Sequence, residues 1–247
     1  MIIENHEQFQ KKLIELVMPL ILFSLESERK ELREIIKNTL FDLEGPRHFA
    51  SFSTRRDDIF ASRLVLSFDE IVTSYLRLKD IEIYTKRFPY RNTGISALRY
   101  LKYHIESYFN EIYIFKLRLE AFLGFLEKRY RKSPITHDIN FTTQKLKKIV
   151  LSALGSVITT RGAHVHEGRF SDRDLDRLSL LERLRASEGG TDILMILYES
   201  EYKKVRKKWA AQIQNYNNAI KKLFDTCCKG LYSVLFDEQG KLIFPDT

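Results

Sequence analysis

Of the six histidines in the chain, two stand close together in Thr159-Thr160-Arg161-Gly162-Ala163-His164-Val165-His166-Glu167-Gly168-Arg169-Phe170. Arginine with histidine is a pairing that phosphodiester chemistry can use. Imidazole titrates near neutrality and can remove or return a proton, whereas guanidinium stays charged and forks onto phosphate oxygens. On RNA the pair suffices without a metal. A histidine takes the proton of the 2′-OH, the freed oxygen attacks the adjacent phosphorus, and arginine stabilises the charge that builds on the nonbridging oxygens.

Spacing decides which imidazole can serve. In a regular helix Arg161 and His166 lie roughly 140° apart around the axis and diverge. Gly162 and the polar residues after it predict that the chain leaves the helix there, with residues 162–172 as a polar stretch that lets His166 turn back toward Arg161. If the helix instead continues, His164, three residues on, shares the face of Arg161. Both histidines stay candidates on geometry. His164, His166 and Glu167 also invite a metal reading, but His-x-His converges best in a strand and no further ligand is evident. A purely structural use is available too, with Arg161 capping preceding carbonyls and Glu167 pairing with it.

Other residues deserve a place beside this stretch. His104, Tyr108 and Glu111 fall on one helical face at i, i+4 and i+7, as part of a cleft or as a hydrogen-bonded seam between helices. Around them Tyr100, Tyr103, Phe109, Tyr113, Phe115, Phe122 and Phe125 read mainly as core, although an exposed tyrosine beside an arginine can stack a base. The adjacent Cys227 and Cys228 cannot easily bridge each other and read as inert packing. Two basic runs stand out: Lys128, Arg129, Arg131 and Lys132 at a helix end, and Lys203, Lys204, Arg206, Lys207 and Lys208 inside another helix. Helix dipoles favour the first, and the second reads as a solvated face.

The elements that position these residues are helices. Only 10 glycines and 5 prolines punctuate 247 residues, and strand-like alternation is scarce. Residues 6–43 read as one helix kinked near Pro19 or as two, ending at Glu44-Gly45-Pro46. After a basic loop, Asp57 and Asp58 open a second helix that extends to about Lys86, with Ile59, Leu64, Phe68, Ile71, Tyr75 and Leu78 inward. Phe88-Pro89-Tyr90 breaks it. From near Gly94, Leu98, Leu101, Ile105, Phe109, Ile112, Phe115, Leu119, Phe122 and Leu126 form one long apolar stripe. A fourth helix spans residues 140–161 through Leu146, Ile149, Val150, Ala153, Leu154 and Val157. A shorter one covers residues 172–186 and stops before Glu188-Gly189-Gly190-Thr191. The last long helix covers residues 192–235, and residues 237–247 read as a loose tail with at most one short strand. The expected class is all-α, with long helices packed antiparallel into a bundle.

Composition narrows the setting. With 44% apolar residues the chain can bury one large core or two small ones. A formal charge of +8 and an isoelectric point near 9.3 make polyanions such as nucleic acid natural partners. Two cysteines supply no disulfide framework, and the first ten residues lack the basic segment of an export signal, so the expectation is a cytoplasmic protein. The apolar run at residues 16–23 contains Pro19, is too short to span a membrane and predicts a buried helix. No cofactor is expected.

Arg161-Gly-Ala-His-Val-His166-Glu167 resembles the Arg-x(4 to 6)-His signature of the HEPN superfamily, compact α-helical bundles of which many are metal-independent ribonucleases. Such members often serve toxin–antitoxin or phage-defence systems, while others bind nucleotides or act as inert scaffolds. The resemblance implies a phosphate-stabilising role for Arg161 and an acid/base role for His166, with His164, Glu167, Arg169, His104 and Tyr108 in support. It also implies RNA or a nucleotide as ligand, a homodimer with the two motifs facing, and possible control by an antitoxin protein. More loosely it covers His104-Ile-Glu106-Ser-Tyr108, so that residues 94–247 correspond to the HEPN-like bundle and residues 1–93 to a helical extension packed on it. Gly162 departs from the pattern, since active members commonly place a polar residue such as Asn directly after the arginine.

Overall fold

A computed structural model describes residues 3–27, 56–87, 94–166, 172–187 and 192–246, with the backbone alone for 20–27, 156 and 158–166. The described residues form an all-α helical bundle of six helices: α1 (His6–Ser27), α2 (Arg56–Lys86), α3 (Ala97–Arg129), α4 (Thr136–His166), α5 (Arg173–Ala186) and α6 (Asp192–Leu235). Among these residues no helix is long and apolar enough to cross a membrane.

The helices begin where local chemistry allows. Asp57 and Asp58 occupy the first turn of α2, where carboxylates meet the positive end of the dipole. Gly94, expected to open the third helix, instead adopts a left-handed φ of 67° ahead of it. Ser96 then caps α3, its Oγ accepting from the Arg99 amide at 3.2 Å. Asp172 caps α5, accepting from the Leu175 amide at 2.8 Å. α1 runs unbroken through Pro19. The apolar run there is not uniformly buried, because Val17 is enclosed while Met18 is exposed. The expected end of that helix, its breaker and the basic loop lie outside the described residues.

All nine residues of the α3 stripe are buried. By contacts the chain divides into two units, Met1–Val72 with Arg118–Lys147 and Phe224–Thr247, and Thr73–Leu117 with Lys148–Leu223. Helices α2, α3, α4 and α6 contribute residues to both.

The first unit is centred on aromatic rings. Phe68 meets Phe9 at 5.0 Å, Phe224 at 5.6 Å and Phe122 at 5.7 Å between ring centres. Polar ties surround this cluster. Arg118 pairs with the Glu70 carboxylate at 3.0 Å, and Glu127 gathers Lys147, Thr143 and Gln144 from α4. The chain after α6 is not a loose tail. Phe236 and Leu242 form an antiparallel bridge and are buried, and the Tyr130 hydroxyl donates to the Ile243 carbonyl at 2.6 Å. Asp237 closes the turn by accepting from the amides of Gln239 and Lys241, with Gly240 at φ 73°, a conformation glycine adopts without strain. This bridge is the extent of extended structure there, in place of a strand.

In the second unit, Leu175, Leu178 and Leu181 of α5 are buried. Phe109 of α3 meets Trp209 of α6 edge to face at 6.3 Å. Asp174 and Lys208 join α5 to α6 at 2.5 Å.

Candidate functional site

Helix α4 enters the second unit with Val150, Leu154 and Val157 buried and carries the Arg161–His166 stretch as its closing turns. The expected exit at Gly162 does not occur, because the helix continues through His166. One glycine costs a helix interior about 1 kcal/mol relative to alanine, which a long helix absorbs. Basic residue types at its end suit the negative pole of the dipole. At 100° per residue, the positions of Arg161 and His164 lie about 60° apart on one face, and that of His166 is turned roughly 140° away from Arg161. Helical continuity therefore brings 161 and 164 together and separates 166. The side chains of Arg161, His164 and His166, and all of Glu167 and Arg169, fall outside the described residues.

His104 and Tyr108 lie one turn apart on α3 in different settings. Tyr108 is part of a seam: its hydroxyl donates to Asn217 Oδ1 at 2.8 Å. Asn217 Nδ2 in turn donates to the Leu78 carbonyl at 3.1 Å and to Glu82 Oε2 at 2.8 Å. Burial, then the neighbouring Glu82 charge, pushes the Tyr108 hydroxyl far above its ordinary range, so it stays a neutral hydrogen-bonding group. Glu111 keeps one carboxylate oxygen 4.0 Å from Arg77, and its other oxygen is buried with no hydrogen-bond partner.

His104 sits among tyrosines, with ring centres 4.3 Å from Tyr100, 5.3 Å from Tyr103 and 5.3 Å from Tyr84 of α2. Burial lowers its pKa, so the imidazole is neutral at neutral pH. Its Nδ1 is enclosed and has no hydrogen-bond partner. Beside it opens a groove of about 610 Å³ whose described lining is Ile95, Arg99, Tyr100, Lys102, Tyr103, His104 and Glu106. Three of these residues carried a sequence signal as aromatics or as the histidine of the row. Glu106 falls in the stretch that the resemblance loosely covers, whereas Arg99 and Lys102 carried no signal, although their spacing along one helical face was available. Tyr84 comes from another helix and has no local signal.

The two cysteines are free and buried. Burial pushes the Cys227 thiol up to about 12 and the Cys228 thiol well above its usual range, so neither is a nucleophile near neutrality. The basic run of α6 is partly engaged: Lys204 pairs with Glu201 at 2.9 Å, Lys208 with Asp174, and Arg206 lies 5.7 Å from the Tyr202 ring centre. Lys128, Arg129, Arg131 and Lys132 are exposed around the end of α3. Among the described residues no group of three or more His, Cys, Asp or Glu is gathered as a metal ion would need. Comparison of the chain with family models, curated proteins and solved structures finds no match.

Proposed function

We propose that the chain is a metal-independent endoribonuclease of the HEPN type. The observation that carries this reading is an Arg-x4-His stretch on the closing turns of a long helix in an all-α bundle. Net positive charge draws RNA to the protein. Arg161 binds the scissile phosphate. A histidine takes the 2′-OH proton, O2′ bonds to phosphorus, the P–O5′ bond breaks, and O5′ leaves with a proton. The products carry a 2′,3′-cyclic phosphate and a 5′-OH. His166 holds the acid/base role by match to the signature, and His164 holds it by helical register.

One histidine beside one arginine supplies a base but no separate acid. A second copy with its motif facing the first supplies the missing group in a composite cleft, which is the reason for a homodimer. Purified protein incubated with RNA in EDTA is the test. Cleavage with cyclic phosphate ends, abolished in folded Arg161→Ala and in one of His164→Ala or His166→Ala, is expected. Dependence on a divalent metal, or 5′-phosphate ends, refutes it.

Gly162 directly after the arginine favours a second reading, an inert RNA- or nucleotide-binding or dimeric scaffold domain. In that case RNA stays intact in every condition while binding survives. The cytoplasmic setting, a toxin–antitoxin or phage-defence role and an antitoxin partner go with the first reading.

A further inference from the structure

One face of α3 has a composition that packing does not explain. Arg99, Tyr103 and Glu106 follow one another at spacings of three and four, with Lys102 beside them, and all four line the 610 Å³ groove. Tyr103 is 64% exposed, yet its ring is braced at nearly a right angle against His104, and Tyr100 and Tyr84 brace His104 in turn. A large ring is thus held in place without being covered.

Two cations stand beside it. Lys102 donates to Ser179 Oγ at 2.7 Å, and Ser179 donates onward to the Leu175 carbonyl at 2.8 Å. This tether fixes the ammonium and leaves two of its three N–H groups for another acceptor. Arg99 is exposed. Neither cation meets a carboxylate among the described residues. Glu106 is the one acid among the described lining residues, so these residues together carry a net charge of one positive with His104 neutral.

We propose that this groove binds a nucleotide unit, its base stacked on Tyr103 and Tyr100 and its phosphate held by Arg99 and Lys102. A bare anion leaves the rings unused, and a neutral aromatic leaves the cations unused. Stacking on tyrosine and forked hydrogen bonding by arginine are how proteins hold an unpaired nucleotide. One net positive charge suits a single phosphate and disfavours a triphosphate against Glu106. The unit is a free mononucleotide or one link of a single-stranded RNA. The site uses none of Arg161, His164 or His166, so it stands or falls separately from cleavage.

The test titrates the full chain at low salt with adenosine 5′-monophosphate, adenosine, inorganic phosphate and a short adenine oligoribonucleotide. The monophosphate is expected to saturate one site per chain, with adenosine and phosphate each at least about tenfold weaker. Tyr103→Ala and Arg99→Ala should each weaken binding about fivefold or more, and Tyr103→Phe should retain it. Circular dichroism of the exposed-site variants confirms their fold. Tighter binding of the oligonucleotide with the same variant dependence identifies an RNA link, and equal or weaker binding identifies the free nucleotide. Absence of saturable binding to both, or binding that Tyr103→Ala leaves unchanged, overturns the proposal. Recovery of an acidic protein on this face with no nucleotide bound overturns it as well.

Discussion

Asn217 holds three groups at once, the hydroxyl of Tyr108, the carbonyl of Leu78 and the carboxylate of Glu82. Removing it strands buried polar atoms rather than merely losing contacts, and that asymmetry sets the cost. Asn217→Ala should lose about 2–3 kcal/mol of stability, read as a lower urea midpoint at unchanged slope. A loss below about 0.5 kcal/mol would show that water replaces the amide freely. Glu127 gives the pH-dependent counterpart. Burial opposes its charge, but hydrogen bonds from Lys147 and Thr143 outweigh this and hold its pKa below 4.5. A depressed folded pKa stabilises above the unfolded value and loses that contribution as pH falls through the folded one. Wild type should therefore exceed Glu127→Gln by less than about 1 kcal/mol at pH 7, with the gap closing in acid below 4.5. A gap that widens on acidification contradicts the pairing. A buried hydrogen bond for Tyr108 and ring contacts for His104 separate two residues that sequence alone placed in a single row.

At the scale of elements, periodicity was the reliable guide. The α3 stripe is buried at every position read from spacing, because a three-four repeat over many turns has one solution. The α4 set was less faithful, since Ala153 is exposed and Ile149 only half-buried; alanine adds little apolar area to hold a face inward. Ends were legible where a side chain caps the helix, as at Asp172, and illegible where length overrides a breaker, as at Gly162. The C-terminal turn was unreadable because its anchor, Tyr130, lies 113 residues from Ile243. The groove was half legible: its tyrosines and histidine were visible as types, but their exposure depends on which face the other helices leave open. Beyond its chain neighbours and its own helix backbone, Gly124 of α3 has no described atom within 4 Å of where a Cβ would stand. Gly124→Ala should therefore raise stability by about 0.5–1 kcal/mol. A decrease in the thermal midpoint would mean that the space is not open.

For the molecule as a whole, the shared-site reading makes assembly measurable. Ile193 and Ile196 at the start of α6 are 75% and 66% exposed and three residues apart on one helical face, apolar area available to a second copy. Light scattering at micromolar concentration should report a dimer, with an interface beside residues 161–169 and parts of the long helices. Mixing Arg161→Ala with His166→Ala protein should restore part of the cleavage rate if one chain supplies arginine and the other histidine. It should restore none if both pairs must be intact. Wild-type protein that turns over RNA while strictly monomeric rules out the shared site and leaves the ribonuclease assignment standing.

Chain order carries a further consequence, for biosynthesis. His6 is buried, stacked on Phe224 and bound to Asp225 at 2.6 Å, a partner 219 residues later. At ribosomal rates of about 5–20 residues per second, the first helix waits roughly ten to forty seconds for the residues that enclose it. Phe9 waits as long for Phe236. During that interval the amino-terminal helix shows its apolar face to whatever is near the ribosome. Final assembly becomes a late, non-local event of the kind that slows folding, because the contacts that enclose His6 exist only once residues 224 and 225 have been made.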